Sequence, residues 1–135
     1  MFEYYNNNPK GKHTSDCIIR SIALFTGKPY QQVMNDLIDL SVETGYHIAD
    51  PVCFSVYMIR NHYKVHTVKD KTFTCDDLCR CITKKDFTKL PGLTESNCNN
   101  LLVCFGSKHV TCVQNGIIYD TVNCGFGGIT SYYVV

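Results

Sequence analysis

Asn115-Gly116 constrains this chain more than any other feature. The pair stands between two runs of β-type residues, His109–Gln114 and Ile117–Thr121. Asn-Gly in that setting is the strongest short-range signal for a two-residue hairpin with a type I′ turn. Such a turn fixes a register. Gln114 pairs with Ile117, Val113 with Ile118, Thr111 with Asp120 and His109 with Val122. Side chains alternate between faces, so His109, Thr111, Val113, Ile118, Asp120 and Val122 share one face. His109 and Asp120 become diagonal neighbours, about 7–8 Å apart at the backbone and within reach of long side chains. Asn123 falls on the opposite face, which makes Asp120 the acid that register brings to His109.

Leu101–Phe105 and Ser131–Val135 have the same β-branched and aromatic character and are predicted strands, as is the short Lys64–Val68 segment. Helices precede them. The first is predicted to start at Thr14–Asp16, all good N-caps, and to close at Gly27 before Pro29. A second starts near Pro29–Tyr30 and ends near Thr44-Gly45. A third has Asp50 as N-cap and Pro51 at its first position. Thr74 caps a fourth over Cys75–Ile82. Asp86–Asn100 is irregular, and Asn6–Gly11 is a polar lead-in loop. Helices first and an antiparallel sheet after them is an α+β layout. The length and the absence of a linker predict a single domain over residues 1–135.

Net charge is +1 and the Lys and Arg residues are scattered, with no basic tract. Nothing here predicts a nucleic-acid partner. No run approaches the ~18 apolar residues of a membrane span. The N-terminal stretch has neither a basic region nor an apolar run and does not read as a signal peptide. A cytoplasmic location follows as the expectation, in the producing cell or in a host. Most of the nine cysteines sit in apolar contexts, for example Cys53 beside Phe54 and Cys104 beside Val103. They read as reduced, buried small hydrophobes. Cys75, Cys79 and Cys81, with Cys98 or a histidine, form the one grouping that invites zinc. They lack paired Cys-x-x-Cys knuckles, and Cys75 and Cys79 fit one helix face. His47, His62 and His66 show no ligand spacing. Gly125-Phe126-Gly127-Gly128 has no strand and helix around it and reads as a turn bordering a cleft, not a phosphate loop. The expectation is therefore no metal and no cofactor.

Cys17 stands apart from the other cysteines. It lies in Thr14-Ser15-Asp16-Cys17-Ile18-Ile19-Arg20, where polar chain passes into an amphipathic helix. A thiol at a helix N-terminus faces unpaired N–H groups and the positive end of the helix dipole. Both favour the thiolate, which is the nucleophilic form. With His109 as base and Asp120 to orient it, the chain has the parts for nucleophilic catalysis.

In Asp16-Cys17-Ile18-Ile19-Arg20-Ser21-Ile22-Ala23, and in the His109–Thr121 segment with its Asp120, the chain resembles the papain-like cysteine peptidase superfamily in its small bacterial and phage forms. The order Cys, His, Asp agrees with that family. The resemblance implies a papain-like fold, with N-terminal helices packed on a C-terminal antiparallel sheet. It implies hydrolysis of a peptide or isopeptide bond in a protein or peptide substrate by Cys17, His109 and Asp120. The same machinery serves deamidation and transglutamination, and an inactive interaction protein is a further reading. In one respect the chain departs from the family. Gly11 stands where papain-like enzymes carry the Gln that donates to the oxyanion. Asn8, Lys12 and His13 are the candidates for that second donor, beside the Cys17 backbone N–H.

Overall fold

The Asn115-Gly116 turn forms with φ of 53° and 75°, the left-handed pair that a type I′ turn requires. The computed structural model describes residues 1–135. Strands β4 (His109–Gln114) and β5 (Ile117–Asp120) leave that turn in the predicted register, Gln114 opposite Ile117 and Val113 opposite Ile118. β3 (Asn100–Phe105) pairs antiparallel with β4, and β6 (Ser131–Val134) antiparallel with β3. β2 (Lys64–Thr67) closes one edge against β6.

The other edge departs from expectation. Phe2–Tyr4, ahead of the lead-in loop and not expected to be a strand, forms β1 and pairs parallel with β5. The sheet is therefore six-stranded and mixed, in the order β1-β5-β4-β3-β6-β2, and not a purely C-terminal antiparallel one. β1 supplies partners for the backbone groups that β5 would otherwise leave open. Ile118 N–H donates to the Met1 carbonyl at 3.0 Å, and Tyr5 N–H to the Asp120 carbonyl at 2.8 Å.

The helices are α1 (Cys17–Thr26), α2 (Tyr30–Thr44), α3 (Pro51–Arg60) and α4 (Cys75–Lys84). Their ends follow local chemistry. Gly27 and Gly45 close α1 and α2 in left-handed conformation. The Asp50 side chain accepts from Val52 N–H ahead of α3, with Pro51 at its first position. Thr74 and Asp77 make a reciprocal capping box at α4, which runs one half-turn past its predicted end.

The α+β class holds, but the sheet is covered on both faces. α1, α2 and α3 pack on the face carrying Leu102, Cys104, Val110, Cys112 and Tyr133. α4 and the irregular segment with Leu90, Leu93 and Cys98 cover Leu101, Val103, Val113, Ile118 and Tyr132. That is why β3 is apolar at every central position instead of alternating. Six of the nine cysteines are buried and all nine are unbridged. Cys75, Cys79 and Cys98 lie within the α4-side core as hydrophobes.

Candidate active site

Cys17 is the first residue of α1, and Asp16 is its N-cap by backbone position. The Asp16 carboxylate does not cap the helix. It turns away and accepts from Arg20 Nε at 2.7 Å, the Tyr30 hydroxyl at 2.7 Å and Asn8 Nδ2 at 3.1 Å. The N–H groups of Cys17, Ile18 and Ile19 are left with no protein acceptor. An open first turn beside a thiol is a ready site for negative charge.

From Asp16 a chain of charged groups crosses to the sheet. Arg20 Nη1 donates to Asp120 Oδ1 at 3.1 Å, and His109 Nε2 pairs with Asp120 Oδ2 at 2.7 Å. Asp120 is 1% exposed, and Asp16 and Arg20 are buried with it. The two carboxylate oxygens are thus divided. Oδ1 takes Arg20 and the Thr121 N–H at 2.7 Å, and Oδ2 takes His109. With Nε2 committed to Asp120, Nδ1 is the nitrogen open to Cys17. The Phe105 ring lies 5.5 Å from the imidazole, centroid to centroid, and shields it.

Electrostatics follow this arrangement. Burial alone would raise the Cys17 thiol. The hydrogen bond with His109, the Val110 backbone N–H and the charges of His109 and Arg20 outweigh it and hold the pKa below its ordinary value. Hydrogen bonding to Asp120 above all, then to Cys124 and Cys17, pushes His109 up to about 11. Burial opposes ionisation of Asp120, yet His109 and Arg20 hold its carboxyl far below the usual carboxylate range. These shifts act in one direction, toward a thiolate facing an imidazolium, with a buried carboxylate behind it.

A cleft of about 190 Å³ opens over this group. Ser15 lines it from just ahead of α1, Cys17 and Ile18 from α1, Ile48 from the α2–α3 connection, Lys108 from the turn before β4 and His109 from the start of β4. Cys17, His109 and Asp120 therefore come together as their sequence positions predict. Asn8, Lys12 and His13 do not line the cleft. Asn8 spends its amide on Asp16 and, at 3.4 Å, on Tyr30. His13 is exposed and pairs with the Tyr4 hydroxyl at 3.1 Å. Lys12 is exposed, its carbonyl bonded to Asn6 Nδ2 at 3.1 Å. The open donors beside the thiol are backbone groups of α1.

Three contributors escaped the sequence reading. The Asp16-to-Arg20 spacing of one helical turn was a visible signal for that ion pair. The reach of Arg20 to Asp120, across the whole chain, had none. Cys124, whose Sγ lies 3.7 Å from Asp120 Oδ2, comes from a loop with no periodicity to place it. Comparison with family models, curated proteins and solved structures finds no match to this chain.

Proposed function

We propose that the chain is a thiol-dependent acyl-transfer hydrolase of papain-like kind, with Cys17 as nucleophile, His109 as acid and base, and Asp120 as the group that orients His109. The observation that carries the reading is the juxtaposition at the α1 N-terminus: a thiol drawn toward thiolate beside an imidazole on a buried carboxylate. Cys17 Sγ attacks the carbonyl carbon of an amide. The oxyanion forms against the Cys17 and Ile18 N–H groups, which replace the absent Gln side chain. His109 Nδ1 gives its proton to the leaving amine, and a thioester remains on Cys17. His109 then takes a proton from water, water adds to the thioester, and the thiol is released.

The substrate class proposed is a protein or peptide, cleaved at a peptide or isopeptide bond. The cleft volume favours a second reading. At about 190 Å³ it suits one side chain better than an extended segment. A glutamine or asparagine side chain would enter as acyl donor, giving deamidation, or transamidation if an amine replaces water. No helix is long and apolar enough to cross a membrane. The nine unbridged cysteines support a reducing, cytoplasmic setting.

Alkylation with iodoacetamide at neutral pH, mapped by peptide mass spectrometry, tests the site. Cys17 is expected to label ahead of Cys81 and Cys124, the other half-buried thiols. Equal rates at all three, with Cys17→Ala changing no activity on any protein panel, would leave an inactive interaction protein as the reading. Product masses then separate the chemistries: a new chain terminus for cleavage, an amide-to-acid exchange for deamidation.

A further inference from the structure

Cys124 has no role in the chemistry above, yet it reaches the same carboxylate. It lies four residues after Asp120, on the turn that leads into β6. Its Sγ approaches Asp120 Oδ2 at 3.7 Å, and donor atoms of His109, Asp120 and Cys124 all lie within 4.8 Å of one another. We propose that these three side chains form a binding site for a zinc-class divalent cation. This runs against the expectation of no metal drawn from the sequence, which rested on Cys75, Cys79, Cys81 and Cys98 and on the spacing of His47, His62 and His66.

The geometry is close to what such an ion needs. Tetrahedral Zn²⁺, with bonds of about 2.0 Å to nitrogen and oxygen and about 2.3 Å to sulfur, spans donor–donor edges of roughly 3.3–3.6 Å. The sulfur–oxygen edge is there already at 3.7 Å. The nitrogen–oxygen edge, 2.7 Å across a hydrogen bond, must open by about 0.6 Å. Imidazole and thiolate select a borderline-soft ion over Mg²⁺ or Ca²⁺. One thiolate and one carboxylate neutralise the ion. The thiol proton of Cys124 and the Nε2 proton of His109 leave to solvent. Three protein ligands leave the fourth position open.

The surroundings hold the ligands in place, as outer groups do in metal sites. Arg20 and the Thr121 N–H fix Asp120 by Oδ1 and leave Oδ2 turned to the other two donors. Phe105 lies on the His109 ring. The Gly127 backbone lies against Phe105 so closely that a Cβ there would meet the ring at 3.0 Å. The His109 side chain, 23% exposed, gives the ion access. The ion takes the place of the proton between His109 and Asp120, so metal binding and the proposed hydrolysis exclude one another. The site itself does not depend on hydrolysis being correct.

Titration of the reduced full chain with Co²⁺, followed by the near-ultraviolet thiolate-to-cobalt band and competed with Zn²⁺, tests this. One equivalent should bind, with the band present in wild type and in Cys17→Ser. Cys124→Ser and Cys124→Ala, small replacements at a half-buried position, should lose the band. Their affinity should fall by at least the roughly tenfold that follows loss of even an outer-shell partner. Circular dichroism of the variants confirms that they fold. A band that survives in both Cys124 variants, or that vanishes in Cys17→Ser, overturns the site, as does no cobalt binding by wild type. Failure of the proposed hydrolysis reads differently: Cys17 would label slowly without metal while cobalt still bound.

Discussion

Two helices in this molecule begin with a cysteine, and they treat it in opposite ways. Cys17 opens α1 and Cys75 opens α4. At α4 every donor of the first turn is taken. Cys75 N–H donates to the Gly127 carbonyl at 3.0 Å, Asp76 N–H to Gly125 at 2.8 Å, and Asp77 N–H to Thr74 Oγ1 at 3.1 Å. The chain comes so near that a Cβ on Gly125 would sit 2.1 Å from Asp76 Oδ1. Cys75 itself is fully buried, and its bond to Cys79, with burial, drives its thiol far above the ordinary range. At α1 the capping acid is drawn off by Arg20, Tyr30 and Asn8, the first-turn donors are open, and the thiol is pulled down. Position at a helix N-terminus is common to both. What separates them is the imidazole beside one thiol and the second thiol and apolar core around the other.

His109→Ala should erase most of that difference. Cys17 would keep its burial, the Val110 N–H and the Arg20 charge but lose the hydrogen bond and charge of His109, so its thiol should titrate closer to the ordinary value. Alkylation at neutral pH should slow toward the rate of the other thiols, and the pH profile of labelling should move to higher pH. Any turnover should fall by about 10²–10⁴, the usual worth of a positioned acid–base group. A labelling profile unmoved by the substitution would put the activation in the helix terminus alone.

Arg20→Ala attacks the comparison from below, by removing the cation that both draws Asp16 from its cap and faces Asp120. Two buried carboxylates would each lose a charged partner, Asp16 keeping only Tyr30 and Asn8 and Asp120 keeping His109 and the Thr121 N–H. Breaking a buried pair in this way costs about 3–5 kcal/mol, read as a shift in the urea midpoint. A loss below about 1 kcal/mol, the range of exposed pairs, would place the network in solvent.

The His109–Asp120 pair also writes a pH signature. His109 is raised from 6.5 to about 11 in the fold, so its stabilisation is whole below pH 6.5 and disappears as pH rises through about 11. Asp120 is lowered, so its share is whole above its ordinary 3.8 and disappears as pH falls through the lower folded value. Chemical denaturation should therefore show this pair contributing most between about pH 4 and 6.5, with a decline toward pH 11. His109→Gln should flatten the alkaline decline. An unchanged slope in that variant would assign it to other groups.

Much of this site was legible because it depends on local rules. The Asn115-Gly116 turn fixes the β4–β5 register, and register alone puts Asp120 beside His109. Asp16 and Cys17 mark a helix start through residue type. The sheet edge was not legible, because Phe2-Glu3-Tyr4 is too short for a periodic signal and its parallel partner lies a chain length away. Nor was the second covered face, since an apolar run such as Leu101–Phe105 has the same pattern in a strand and in a buried helix. The side-chain commitments were illegible as well. Asn8 looks like a free amide donor in sequence, and only the packed α1–α2 corner shows it held by Asp16 and Tyr30.

The smallest expected effect bears most directly on what a helix terminus can do by itself. Thr74→Ala removes the side-chain cap of α4 and frees the Asp77 N–H, while the bonds from Cys75 and Asp76 to the Gly125–Gly127 turn remain. Loss of a threonine cap costs about 1 kcal/mol, within a range of 0.5–2. Cys75 should stay unreactive to iodoacetamide in the folded variant, because neither its burial nor its bond to Cys79 depends on Thr74. If it became reactive at a rate approaching Cys17, with stability down only by that amount, open first-turn donors would suffice to activate a thiol here. His109 would then be needed for proton transfer but not for making the nucleophile.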